Sequence, residues 1–230
     1  RRHDYGDDFP SYRGFLNRKC VTLAELLGSS GYSSYLAGKW HLGGDQKSRW
    51  PLQRGFDRFY GCIAGSTRFF SPDTDKREGR GIFTGNQSVS KVRSTTKRPY
   101  YTTDAFTDHA IRFIKEGDKK KPFFLYLSYT APHWPHQAHE EDIDKYRGKY
   151  MKGWDELRKE RHRRQIELGL FGEKQKLSPR DEEVPAWSTL NLEKQKEMDL
   201  RMAVYAAMID CIDQNVGKLI RTLKKREQFE

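Results

Sequence analysis

The chain has 230 residues, with 43 Lys and Arg against 32 Asp and Glu, and a formal net charge of +11. Three cysteines are too few for a disulfide-dense mini-protein, and the longest apolar run falls far short of the roughly 20 residues of a membrane-crossing helix. An aromatic content of 13% excludes wholesale disorder.

The chain begins at Arg1, and residues 226–230 carry no helix-stop residue. It therefore reads as an internal piece of a longer protein. Residues 1–18, rich in Gly, Asp, Tyr and Arg, read as loop. Thr22-Leu-Ala-Glu25 has the form of a capping box, in which Thr bonds the backbone three residues on and Glu reaches back. Leu23, Leu26 and Leu27 then share one helical face, and Gly28 or Gly31 stops the helix. Residues 32–37 predict a short strand, with β-formers Tyr32 and Tyr35, and residues 38–44 a glycine-flanked loop. Residues 66–99 read as a surface excursion with a hairpin around 81–90.

Thr103 is the expected cap of a helix over 104–115, whose apolar positions are Ala105, Phe106, Ala110, Ile111, Phe113 and Ile114. Pro122 then opens Phe-Phe-Leu-Tyr-Leu-Ser-Tyr, an apolar run that fits a strand covered on both faces. Residues 140–170 are helical in pattern and heavily charged, and 177–186 read as a linker, so 140–190 form a charged helical insertion with its linker. Residues 192–225 predict one long helix. Its Met198, Met202, Tyr205, Ile209, Ile212, Val216, Leu219 and Leu223 recur every three or four residues. Met202, Tyr205, Ile209, Ile212 and Val216 are expected to be buried, with Lys194, Lys196 and Arg201 in water. Helix, turn and strand in succession indicate an α/β protein.

Two segments carry residues suited to chemistry. In Ala37-Gly-Lys-Trp-His-Leu-Gly43, Lys39 and His41 stand two apart, which in an extended segment puts both on one side. A point charge beside an imidazole suits an oxyanion. On spacing alone, a solvated Lys and a structural His is the commoner reading. The second segment, Thr130-Ala-Pro-His-Trp-Pro-His136, follows a strand, where ligand sites of α/β sheets gather. Pro132 and Pro135 fix the backbone around His133, which is placed to donate a proton to a leaving group. His136 and His139 stand three apart, but no Cys or carboxylate cluster completes a metal set. Cys20, Cys62 and Cys211 form no Cys-x-x-Cys pair, and Cys62 and Cys211 read as packed small hydrophobes. Gly79-Arg-Gly81 is too short for a dinucleotide site. Residues 145–164 hold nine basic and three acidic residues. Such a run attracts polyanions, a sulfated glycan included, although it is ordinarily a solvated face. Beyond Tyr146, Tyr150 and Trp154 there is no interleaved aromatic stacking platform, so nucleic acid is not expected as a partner.

Together the segments resemble the sulfatase (arylsulfatase-type) family of the alkaline-phosphatase-like superfamily. The resemblance rests on Thr22-Leu-Ala-Glu-Leu-Leu-Gly-Ser-Ser-Gly-Tyr32, Leu36-Ala-Gly-Lys-Trp-His-Leu-Gly43, Pro51-Leu-Gln-Arg-Gly-Phe-Asp57, Phe59-Tyr-Gly61, Pro122-Phe-Phe-Leu-Tyr-Leu127, Ala131-Pro-His-Trp-Pro135, Tyr205-Ala-Ala-Met-Ile-Asp210 and Asp213-x-x-Val-Gly217, in order over nearly the whole chain. It implies an α/β sandwich with a central mixed sheet flanked by helices, and hydrolysis of sulfate monoesters, a sulfated glycan among them. It also implies one divalent cation, usually Ca2+, and a formylglycine made in a Cys/Ser-x-Pro-x-Arg motif. By the same resemblance Lys39 would contact the sulfate, and His41 would hydrogen-bond the formylglycine hydroxyl. His133 would hold the sulfate and protonate the leaving alcohol.

No Cys or Ser here stands in the formylglycine motif, and the family's metal-binding Asp-Asp and Asp-Asn-Gly segments are expected outside these residues. The implied metal ligands and nucleophile thus lie outside this chain. Residues 1–230 are expected to be the central portion of one catalytic domain, inactive by themselves. The alternatives are a phosphodiesterase or phosphonate hydrolase of the same superfamily, or a non-catalytic polyanion-binding module. The resemblance implies a periplasmic, secreted or lysosomal location.

Overall fold

The computed structural model describes residues 13–74, 80–94 and 97–229; residues 1–12 of the loop expected over 1–18, and Gly79, lie outside them. The described residues form two compact units. One is residues 13–133 with 211–229, and the other is residues 134–210. No helix among them is long and apolar enough to cross a membrane.

The first unit is built on a mixed sheet. Helix α1 (Leu23–Ser29) leads into β1 (Ser33–Lys39), then β2 (Arg58–Cys62), the two-residue strands β3 (Phe83–Thr84) and β4 (Gln87–Ser88), helix α2 (Thr102–Glu116) and β5 (Phe123–Ser128). The strand order is β4-β3-β2-β1-β5. Strand β1 runs parallel to both β2 and β5, whereas β3 is antiparallel to β2 and β4.

Alternation along β1 supplies both cores. Tyr35 and Ala37 point into a cluster with Tyr60, Phe106, Ala110 and Phe113 beneath α2. Leu36 points the other way, to Ala24 of α1, Trp40, Phe56, Phe59 and Ile63. This two-sided burial is what parallel strands between helical layers require. The α1 capping box forms as the sequence predicts: Thr22 Oγ1 accepts from Glu25 N and Glu25 Oε2 accepts from Thr22 N. The hairpin expected near 81–90 is the β3–β4 pair.

Three readings are corrected. Strand β5 is less fully covered than expected: Phe123, Leu125 and Leu127 pack against one core and Phe124 against the other, but the strand is only half-buried and Tyr126 is exposed. Among the described residues it lies at the edge of the sheet, paired with β1. Thr103 does not cap α2. The helix starts two residues earlier, after Tyr101, and Thr103 is buried inside it. The Thr102 N–H is satisfied by the Phe69 carbonyl at 3.0 Å, so a loop carbonyl does what a capping side chain would.

The third correction concerns the long helix α5 (Leu192–Lys225), whose bounds match the expectation. Its buried residues are Asp199, Ala203, Ala207, Met208, Cys211 and Asn215, whereas Met202, Ile209 and Val216 are 42%, 45% and 37% exposed. The buried stripe is rotated from the one that the large apolar residues mark, because small side chains let a helix pack closely. In the first unit Asn215 Nδ2 donates to Asp104 Oδ1 of α2 at 2.7 Å, a buried polar tie.

The second unit contains α3 (Glu140–Ile143), α4 (Gly153–Glu167) and the first part of α5. Ile143 packs with Ala203 and Ala207. Buried Asp199 accepts from the backbone N–H groups of Gly148 and Tyr150, each at 2.8 Å. The expected linker over 177–186 is exposed and free of helix or strand.

A buried arginine fastens the approach to β1. Arg54 is 1% exposed. Its Nε donates to Glu25 Oε1, Nη1 to the Leu16 carbonyl and Nη2 to the Cys20 carbonyl, each at 3.0 Å. Partial burial raises the Glu25 carboxyl, but the hydrogen bonds from Arg54 and Thr22 outweigh it and hold the group below its ordinary 4.5. Its stabilising effect is therefore fully present above that ordinary value, and is lost as pH falls through the depressed one. In urea unfolding of the full-length protein, the midpoint should drop between about pH 6 and about pH 3, and Glu25→Gln should flatten that dependence. Equal slopes in both proteins would contradict the assignment.

Candidate functional site

Lys39 is the last residue of β1, opposite Cys62 at the end of β2, and Gly38 pairs with Ser128 at the end of β5. The three strands come very close here. A Cβ on Gly38, whose φ is +124°, would lie 1.9 Å from the Ser128 carbonyl oxygen, so only glycine fits. Ser128 Oγ then donates to the Lys39 carbonyl at 2.6 Å. Lys39 is half-buried at this carboxyl edge.

The chain continues beside the end of β2. Trp40 N donates to the Cys62 carbonyl at 3.0 Å, and His41 N to the Ile63 carbonyl at 2.9 Å. Trp40 is buried, edge-on to Phe56, with its indole N–H on the Arg49 carbonyl at 3.0 Å. His41 lies past the strand with φ +56°, so the two-residue alternation that relates it to Lys39 in an extended chain does not extend to it. Its imidazole instead rests over Gly65. A Cβ there would come within 2.5 Å of His41 Cε1. Gly65 is a contributor that the sequence reading overlooked, and its only signal was a small residue two positions after Ile63.

His133 follows β5. Its N–H donates to the Thr130 carbonyl at 3.0 Å, Thr130 is buried, and the His133 side chain is exposed. Since β1 and β5 are parallel neighbours, Lys39, His41 and His133 all belong to segments that leave the same sheet edge. His136 lies instead in the second unit, its ring edge-on to Tyr205 at 5.3 Å, and His139 is buried at the start of α3. Among the described residues no group of three or more His, Cys, Asp and Glu could hold a metal ion.

Cys62, at the end of β2, does not supply a reactive thiolate here. Burial pushes the Cys62 thiol up to about 12, against the opposing charges of Lys39 and Arg80, so it stays protonated. Cys211 is buried in α5. Exposed Cys20 donates to the Asn17 carbonyl.

Arg54 and Asp57, read only as part of a resemblance, prove to be structural. Asp57 Oδ2 accepts from Ser34 N at 2.7 Å while Asp57 N donates to the Ser34 carbonyl at 2.8 Å, which fixes the start of β1.

A family model described as Sulfatase matches residues 2–230. An uncharacterized sulfatase of Schizosaccharomyces pombe is 36% identical over 222 residues, covering 94% of this chain and 40% of the relative. An arylsulfatase of Klebsiella aerogenes is 33% identical over 210 residues, covering 91% and 45%. Among solved structures, Ps i-CgsB in complex with k-i-k-neocarrahexaose superposes with a TM-score of 0.55 at 26% identity, covering 89% of this chain and 36% of that one. The chain thus spans less than half the length of these relatives.

Proposed function

The chain belongs to the sulfatase family, and from that premise we propose that the full-length protein hydrolyses sulfate monoesters to an alcohol and inorganic sulfate. Lys39, His41 and His133 act on one sulfuryl group. The observation that carries this reading is the parallel pairing of β1 with β5, which starts both histidine-bearing segments from one carboxyl edge.

Negative charge builds on the sulfuryl oxygens and on the leaving oxygen as the sulfur–oxygen bond opens. The Lys39 ammonium is a point charge for the former. His133, in its protonated form, binds a sulfuryl oxygen and transfers its proton to the leaving oxygen. A nucleophile oxygen from outside these residues, ultimately replaced by water's, bonds the sulfur. The electron pair of the breaking bond departs with the leaving oxygen, which takes the His133 proton to become the alcohol, and the sulfuryl group ends as inorganic sulfate. His41, held over Gly65, supplies the third polar contact.

Membership of the family implies in general a divalent cation and a formylglycine. The described residues do not fit either group: no metal-holding cluster exists among them, and Cys62 and Cys211 are buried.

The named relatives are sulfatases, which does not favour a phosphodiesterase or phosphonate hydrolase. The sugar-bearing complex among the structural neighbours supports a sulfated glycan as the substrate class. The test is release of inorganic sulfate from p-nitrophenyl sulfate by the full-length protein, against release of nitrophenol from bis-p-nitrophenyl phosphate. Sulfate release supports the reading, and turnover of the phosphodiester alone would overturn it.

A further inference from the structure

The second unit carries a basic pocket remote in sequence from Lys39 and His41. It lies between α4 and the loop that follows it. Arg158, Arg161, His162 and Gln165 line one wall, at helix positions i, i+3, i+4 and i+7, which share a face. Lys176 and Ser178 line the other. The loop is held in place at both ends. Leu170 N donates to the Gln165 carbonyl at 2.9 Å, which turns the chain back and brings the Phe171 ring to 6.2 Å from His162. Arg158 Nη2 donates to the Ser178 carbonyl at 3.0 Å and to its hydroxyl at 3.1 Å. The pocket is open to solvent, with a volume of about 270 Å³, just below the roughly 300–1,000 Å³ of small-ligand sites.

No acidic residue lines this pocket. The carboxylates of α4 are engaged elsewhere: Asp155 with Arg180, Glu156 with Lys159, Glu160 with Lys152 and Glu167 with Arg163. Among the described residues Arg161 and Lys176 have no carboxylate partner, and the Nε2 of His162 is buried without a hydrogen-bond partner. Two unpaired cations, an imidazole nitrogen lacking a partner and a fixed arginine converge on one cavity, and this is a site built for an oxyanion. Arg161 also lines a second, wider cleft with Arg163 and Arg164, where Glu160 and Glu167 offset part of the positive charge.

We propose that this pocket and its adjoining cleft bind a sulfate group and the neighbouring units of a sulfated sugar chain, as a docking site separate from the residues that cleave the ester. The choice of a sulfated glycan rests on the proposed sulfatase activity. Nucleic acid is disfavoured because single strands bind on successive aromatic faces, and the pocket's one aromatic, Phe171, is taken up by His162.

The test uses the full-length protein and a heparin hexasaccharide, with the desulfated hexasaccharide and a single-stranded oligonucleotide of equal charge as comparators. Titration calorimetry should show binding of the sulfated sugar alone, with affinity about tenfold weaker in Arg161→Ala and about tenfold weaker in Lys176→Ala. Both variants should hydrolyse p-nitrophenyl sulfate as the wild type does. Both side chains are exposed, and a matching circular dichroism spectrum shows that the fold is kept. Unchanged affinity in both variants, equal binding of the desulfated sugar, or tighter binding of the oligonucleotide would each overturn the proposal. The binding readout needs no turnover, so a full-length protein that binds heparin through Arg161 but releases no sulfate would refute the proposed activity and leave the pocket standing.

Discussion

Lys39→Ala in the full-length protein is expected to lower kcat for sulfate-ester hydrolysis by roughly 10²–10³, the loss that follows removal of one preorganised donor to a developing oxyanion. The Lys39 backbone is fixed by Ser128 and by pairing with Cys62, so the variant should keep its fold and lose charge alone. The loss should be similar for aryl and alkyl sulfates, because the role proposed for Lys39 is at the sulfuryl oxygens, which both share. His133→Ala should behave differently. A nitrophenolate leaves readily without a proton, whereas an alkoxide needs one, so the variant should lose far more on an alkyl sulfate. Rates of both variants on the two substrate classes check this. An equal loss for His133→Ala on the two would remove its role as the acid.

The largest structural effect should come from Arg54→Ala. The side chain is almost wholly buried and bonds one carboxylate and two backbone carbonyls from segments 29 to 38 residues away. Truncation leaves the Leu16 and Cys20 carbonyls without their guanidinium donor and Glu25 with only the longer ion-pair contact to Arg18 at 3.7 Å. Breaking a buried pair from one side costs about 3–5 kcal/mol. Urea unfolding of the full-length protein should show a shift of that order, and Arg54→Lys should recover little, since one ammonium cannot span three acceptors. A change within about 0.5 kcal/mol, the usual range for surface sites, would contradict the role.

The elements that proved readable in sequence were those set by local rules. Thr22 and Glu25 name the start of α1 by chemistry that operates within four residues, and the 3.6-residue period of α5 gives both its ends. What a helix packs against is not local. The large residues Met202, Ile209 and Val216 mark one face of α5, yet Ala203, Ala207 and Asn215 are the buried ones, since close approach and a hydrogen bond to Asp104 govern that side. Likewise β5 reads as fully covered because its six residues carry no trace of which strands flank them. Arg54 illustrates the reverse failure: a charged residue reads as surface, and only the fold reveals the three acceptors that let it be buried.

The site was legible as two segments and not as a geometry. Lys39, His41 and His133 were marked by their neighbours in sequence, and the sheet register supplies the common edge. The route by which His41 is held, a left-handed residue resting on Gly65, depends on a loop 24 residues further on.

The central claim is that Lys39 and His133 serve one sulfuryl group. A double-mutant cycle in the full-length protein tests it most directly, with kcat/KM for an alkyl sulfate measured for the wild type, Lys39→Ala, His133→Ala and the double variant. Groups that share a partner couple by roughly 0.5–3 kcal/mol, so the double variant should lose clearly less than the product of the two single losses. Losses that multiply would show that the two residues act independently and would contradict the shared site.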